Sequence, residues 1–369
     1  MAFEISPSPR VRRSPFYDAT VAAGVMSFTP YNHMLMPTSY GDPDAEYWRL
    51  IEGVAMWDVA VERQVEMRGP DAAKLAQALA PRKVSKMRDG VGRYVALCDH
   101  RGVIVNDPIL LKLAEDRFWL SIADSDVLIW ARAVAGERGL DVEIFEPDVS
   151  PLAIQGPKAM DVGAALFGNQ VHELKLFQFI EAKLGDIPLM VARSGWSKQG
   201  GLEVYLMDGS RGIDLWNLVA EAGKPWDIGP GNPNPRERIE SGLLSWGGDT
   251  DDETNPFEVR MGRFVDLDCP DDTIGIQALR KIHADGPKRH QLGVRFDMEE
   301  RIGGFDRRGW IRRGADNMGL LTAAAWSPRL ETNIGMCLVS RDLTPDEPVD
   351  VVLADGTIRP GTMVELPFL

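Results

Sequence analysis

Asp107 stands in the segment VIVNDPILL between two apolar runs, where a carboxylate is costly to bury unless it has a partner or a task. Two roles fit: a turn residue ahead of Pro108, or an acid facing a cleft. Glu203 is the single acid in the alternating segment LEVYL, and Tyr205, two residues on, shares its face. If Leu202, Val204 and Leu206 point to a core, Glu203 and Tyr205 point together into a cleft or into solvent. Trp196 and Lys198 in SGWSKQGG, with Tyr31 and His33 in TPYNHMLMP, add an aromatic and polar set in segments that read as loops, where sites form over a rigid scaffold. Aromatic faces attract cations by ~0.5–2 kcal/mol per contact, enough to orient a small onium ligand. Trp196 equally reads as a cover over the core.

Other chemistries lack their residues. The five histidines never fall at metal-ligand spacing, and there is no HExxH, no Walker A loop and no GxGxxG after a strand, so no metal site is expected. SGWSKQGG fails as a nucleophile elbow because Gln199 stands where the second glycine belongs. The three cysteines, Cys98, Cys269 and Cys337, are odd in number and far apart, which fits a reducing cytoplasm better than a disulfide framework. Forty-one Lys and Arg against 55 Asp and Glu give a net charge of −14, a field that repels phosphate backbones and anionic lipid heads. Nucleic acid and membranes are therefore not expected partners, and the basic start of the chain lacks the apolar stretch of an export signal or anchor.

The elements that must position these residues repeat. VEMRGPDA at 65–72 and LAIQGPKA at 152–159 both read as strand, Gly turn, then Pro opening a helix. FWLSIAD followed by DVLIWARAVA recurs, at nearly the same offset, as LEVYLMD followed by GIDLWNLVAEAG. Each unit predicts an α+β lobe of ferredoxin-like type, and two such lobes about a pseudo-twofold axis enclose a cleft. Val127, Trp130, Ala131 and Val134 form one apolar helix face, and Trp130 and Trp216 read as core. Asn234 is a candidate N-cap with Pro235 at the first helical position. Beyond Pro287 the pattern becomes short alternating strands with Gly-rich turns, an all-β barrel or jelly roll. The expected division is residues 1–286 for the duplicated lobes and 287–369 for the β domain, and at 369 residues more than one domain is the natural outcome.

Taken in order, WDVAVERQVEMRGPDAAKLAQALAPRKVSK, GRYVALCDHRGVIVNDPIL, PLAIQGPKA, RSGWSKQGGLEVY and ERIESGLLSWGGD resemble the T-protein family, the tetrahydrofolate-dependent aminomethyltransferases of glycine cleavage and their relatives. The resemblance implies three domains in a ring with folate in a central channel. It matches Asp107 to the family's essential aspartate and Glu203 to the glutamate that grips the pterin, and extends the folate set to Tyr94 and Arg238. The usual DVSHMG is here DVAVERQ, TGYTGEDGFE is SGWSKQGGLE, and Asn234 replaces an arginine, while Arg238 and Glu240 are kept. Those departures, with YNHMLMPT and SIAD, are similar to the branch of the family that demethylates dimethylsulfoniopropionate.

That branch implies methyl transfer from a sulfonium to N5 of tetrahydrofolate, a direct displacement that needs alignment and dryness more than a metal. Tyr31, Trp196 and Tyr205 are then candidates for the sulfonium wall, with Lys198 or His33 for the donor's carboxylate. Three rivals carry the same fold: an aminomethyltransferase serving a lipoyl carrier, a related folate-dependent demethylase with another methyl donor, and a non-catalytic folate-binding relative whose KGCYxGQE cysteine is missing here. A homodimer is the expected oligomeric state.

Overall fold

The computed structural model describes residues 8–297, 301–302 and 308–369. The first repeat runs through strand Gln64–Arg68, helix Ala72–Leu79, strands Val91–Tyr94, Ile109–Ala114 and Arg117–Ser121, helix Val127–Arg138 and strand Glu143–Phe145. The second runs through Ser150–Gln155, helix Ala159–Phe167, strands Phe179–Leu184, Ile187–Ala192 and Gly201–Leu206, helix Gly212–Gly223 and strand Gly229–Gly231. Corresponding strands occupy corresponding places in two separate sheets, except that strand Ala55–Asp58 is inserted in the second, between Ser150–Gln155 and Gly229–Gly231.

The Gly-Pro turns are where the repeat is most literal. Gly69 and Gly156 both take positive φ, 139° and 126°, and in both turns the glycine carbonyl accepts the N–H of the first helical residue, Ala72 or Ala159, at 3.0 Å. The prolines therefore lie within the turn, two residues before the helix, and do not open it as the sequence pattern predicts. Asn234 does cap its helix, accepting the N–H groups of Arg236 at 3.0 Å and Glu237 at 3.1 Å.

Each lobe carries its two helices on one face of its sheet, antiparallel in the first lobe and in the second antiparallel except where Gly229–Gly231 runs parallel to Ala55–Asp58, and the opposite faces meet. Phe118 and Leu120 pack against Leu75 and Ala131 on the helical side of the first lobe, while Leu202, Val204 and Leu206 pack with Val162 and Leu215 on the helical side of the second. Leu111 and Trp119 from the first sheet form a separate cluster with Met190, Ala192 and Tyr205 from the second. The Trp119 and Tyr205 rings stand 6.3 Å apart at a 40° tilt. Burying rings of this size contributes roughly 4–6 kcal/mol each as an upper bound. The pseudo-twofold axis thus turns the outward positions of the central strands toward each other instead of toward water.

From Arg289 the chain forms a closed six-stranded barrel filled by residues such as Leu292, Val294, Ile311, Val339 and Met363. It is tied to the lobes through Glu240, wholly buried, which accepts from Tyr47 Oη at 2.8 Å, Arg329 Nε at 2.9 Å and the Ser327 hydroxyl. Trp216 is core, and Trp130 packs at the edge of the first lobe's core. Among the described residues, no helix is long and apolar enough to cross a membrane.

Two glycine substitutions test this backbone. A Cβ on Gly156 would lie 2.5 Å from the Gly53 carbonyl oxygen at a φ of +126°, so Gly156→Ala is expected to cost about 1–3 kcal/mol or more. Gly136, in the helix Val127–Arg138 with open space around its Cβ position, is expected to gain ~0.4–1 kcal/mol as alanine. Urea midpoints of both variants check the pair; equal midpoints would contradict the close approach at Gly156.

Candidate active site

The strand Gly201–Leu206 sends Leu202, Val204 and Leu206 into the helical core, so Glu203 and Tyr205 emerge on the other face, between the sheets. They do not reach solvent: Glu203 is 5% exposed and Tyr205 1%. Glu203 Oε2 accepts from the Ser194 hydroxyl and from Tyr205 Oη at 3.0 Å. Its other oxygen has no hydrogen-bond partner among the described residues. Burial raises this carboxyl above the ordinary range, and the two hydroxyls oppose that rise only in part.

Asp107 occupies the break between strands Ile104–Asn106 and Ile109–Ala114, where Tyr94 Oη donates to Oδ2 at 2.6 Å. Burial pushes Asp107 up to about 7 against that bond, with the charge of Asp249 adding to the rise. The preceding Asn106 is fully buried and holds its place through Ala123, giving and receiving bonds of 3.0 Å with that residue's backbone. Asp107 is therefore a carboxyl held in a cleft as well as a turn residue.

The third acid is Glu62, in the turn between strands Ala55–Asp58 and Gln64–Arg68. Asn32, 2% exposed and in the left-handed region at φ 46°, donates to the carbonyls of Val61 at 3.0 Å, Ile122 at 3.3 Å and Ala123 at 3.0 Å, while its own N–H reaches Asp124 Oδ1 at 2.7 Å. One side chain thereby fixes both the neighbour of Glu62 and the neighbour of Tyr31. The Glu62 carboxyl is held well above its usual range by burial and then by the charges of Glu203 and Asp107. The Tyr31 phenol is raised by burial and by Asp107, Glu62 and Asp124; that of Tyr205 by burial, Glu203 and Glu62. Glu62, Asp107 and Glu203 thus share one cleft with Tyr31, Tyr94 and Tyr205.

The remaining candidates have partners of their own. Arg238 is buried and bonded to Asp249 Oδ2 at 2.7 Å, so it reaches the cleft through the same Asp249 that raises Asp107. Its guanidinium also lies 5.9 Å from the ring centre of Trp196, whose Nε1 donates to the Leu244 carbonyl at 3.2 Å. Trp196 therefore already faces one cation of its own chain. Lys198 is exposed, its backbone N–H held by Glu237 at 2.9 Å, and His33 pairs with Asp126 at 3.3 Å near the surface. Glu62 and Asn32 are the residues that sequence reasoning missed. The available signal for Glu62 was an acid introduced at a departure from the family pattern, DVAVERQ for DVSHMG.

Residues 16–269 match the GCVT N-terminal domain, and residues 294–369 match the glycine cleavage T-protein C-terminal barrel domain. The chain belongs to the glycine cleavage T-protein family. It is 42% identical to dimethylsulfoniopropionate demethylase DmdA of Ruegeria pomeroyi, over 98% of this chain and 98% of that one. It is 28% identical to an aminomethyltransferase of Symbiobacterium thermophilum, over 97% of each. The crystal structure of aminomethyltransferase T from Bartonella henselae superposes with a TM-score of 0.84 at 22% identity, covering 97% of this chain and 98% of that chain, and shares the fold.

The raised acids make stability fall as pH rises. Asp107 holds a proton up to about 7 when folded but only to ~3.9 when unfolded, so in that window the folded state binds more protons and each step up in pH costs stability. Asp107→Asn, which can still accept from Tyr94, is expected to show a shallower decline in urea midpoint between pH 4 and 8 than the parent, and to be at least as stable at neutral pH. A slope identical to the parent's would contradict the burial of this carboxyl.

Proposed function

We propose that the protein is a tetrahydrofolate-dependent demethylase that moves a methyl group from dimethylsulfoniopropionate to N5 of tetrahydrofolate, leaving methylmercaptopropionate. The observation that carries this reading is the buried acid Glu203 between the sheets: Ser194 and Tyr205 hold one of its oxygens, and the other, with no partner among the described residues, is left for an outside donor. Such an oxygen suits the adjacent N–H groups of a pterin, which present a fork that a carboxylate accepts. The likeness to a demethylase over nearly the whole chain supports the donor.

In this reading Glu203 grips the pterin, with Ser194 and Tyr205 fixing the carboxylate plane through its other oxygen. Tetrahydrofolate supplies the N5 lone pair that bonds the methyl carbon, while the carbon–sulfur electron pair returns to sulfur and the N5 proton leaves. Asp107, poised near 7 and steadied by Tyr94, accepts that proton at neutral pH and favours the positive charge as it develops. Tyr31 and Tyr205 offer π-faces to the sulfonium, and the sheet-to-sheet packing excludes water from the displacement. Trp196 serves as a second wall beside Arg238, and Lys198 or His33 takes the donor's carboxylate. The three cysteines are free and buried, which suits a reducing cytoplasm. We assign the protein to that compartment as a homodimer.

The decisive assay incubates purified protein with tetrahydrofolate and a panel of sulfonium, betaine and methoxy donors, with 5-methyltetrahydrofolate detected by mass spectrometry. Product from dimethylsulfoniopropionate without any carrier protein is expected; turnover only with an aminomethyl-lipoyl carrier would place the chain with the aminomethyltransferases. Glu203→Gln is expected to weaken tetrahydrofolate binding roughly 10- to 100-fold in calorimetry, since it removes a charged acceptor from the bound ring. Unchanged affinity would remove Glu203 from the pterin site.

A further inference from the structure

Of the three cleft acids, two have hydroxyl partners: Glu203 is held by Ser194 and Tyr205, Asp107 by Tyr94. The Glu62 carboxylate accepts no hydrogen bond among the described residues, although its backbone is pinned on both sides. Asn32 bonds the Val61 carbonyl at 3.0 Å, and Gln64 Nε2 bonds the Glu62 carbonyl at 2.6 Å. The adjacent Arg63 is turned away to Glu146, so the nearest guanidinium in sequence does not neutralise it. The bond from Asn32 to the Val61 carbonyl sets the neighbour of Tyr31 against the neighbour of Glu62. The outcome is an acid with a fixed backbone and, among the described residues, no salt-bridge partner.

We propose that Glu62 is the anionic partner of the donor's cationic centre and sets the site's preference for an onium donor over a neutral one. The inference rests on the demethylase reading and adds to it a specificity residue. A sulfonium has no N–H or O–H to donate, so hydrogen-bonding geometry cannot recognise it; charge and aromatic faces can. A carboxylate bound to hydroxyls is partly satisfied, whereas one without a partner gains most from an arriving cation in a cleft with little water. The same pairing separates donor from product. Once the methyl carbon–sulfur bond has broken with its electron pair on sulfur, the thioether is neutral, Glu62 no longer attracts it, and product release is favoured. The position lies in DVAVERQ, where this chain departs from the DVSHMG pattern.

The test is a pair of titrations, dimethylsulfoniopropionate and methylmercaptopropionate, against the parent protein, Glu62→Gln and Glu62→Asp. Glu62→Gln is expected to lose about tenfold or more in affinity for the sulfonium while the thioether and tetrahydrofolate stay within about twofold of the parent. Glu62→Asp keeps the charge and is expected to retain most of the sulfonium affinity. Retained folate binding shows that the variants are folded. Equal weakening of both ligands makes Glu62 a packing residue, and unchanged sulfonium affinity removes it from donor recognition; either result overturns the proposal. Turnover by the parent separates this from the reading beneath it. A parent that demethylates dimethylsulfoniopropionate with an affinity ratio indifferent to Glu62→Gln contradicts the role of Glu62 alone, and a parent that accepts only neutral donors contradicts both.

Discussion

Glu203 is buried between two packed sheets while Asp107 and Glu62 are half-buried, and desolvation pushes all three carboxyls up, with hydroxyl bonds opposing the rise at Glu203 and Asp107. Much of the architecture follows from keeping them there. Isolated ionised carboxylates in such a place would be costly, and the protein meets the cost by letting the acids hold protons and by giving two of them hydroxyl donors. A cleft of this kind suits a ligand that brings positive charge, because the arriving cation allows a carboxyl to ionise. Folding and binding are thus linked through the same protons.

The duplication is what makes the cleft. A single α+β lobe with helices on one face would leave the other face of its sheet to water, and Glu203 would be a surface acid. Pairing two lobes buries that face, with Trp119 and Tyr205 meeting across it. The positive-φ glycines at 69 and 156 start each repeat's helix with the same bond, so both helices leave their strands in the same way. Buried links carry the order outward: Asn32 joins the N-terminal hairpin to two segments of the first lobe, and Glu240 joins the lobes to the barrel.

What was legible in the sequence is what depends on local pattern. The alternation of LEVYL separates Glu203 and Tyr205 from the core, the paired Gly-Pro turns reveal the repeat, and an acid inside VIVNDPILL marks Asp107. Strand Gly309–Arg313 escaped notice because only Ile311 of GWIRR points fully inward, which gives no alternating apolar run. The direction that loop side chains take was equally hidden. Whether His33 turns to Asp126, or Trp196 to Arg238, is decided by residues 93 and 42 positions away on other elements. Glu62 required the same long-range information: its neighbours Glu203 and Asp107 are distant in sequence, and only sheet-on-sheet packing brings them together.

The central claim is that this cleft holds a pterin on Glu203 and a cationic methyl donor beside it. A crystal structure of the protein with tetrahydrofolate and dimethylsulfoniopropionate, in the Asp107→Asn variant that lacks the proposed proton acceptor, tests it most directly. The expected result is the pterin's paired N–H groups on Glu203, N5 beside position 107, and the sulfonium between Tyr31, Tyr205 and Glu62. A pterin seated away from Glu203, or a donor bound outside the space between the two sheets, would contradict it.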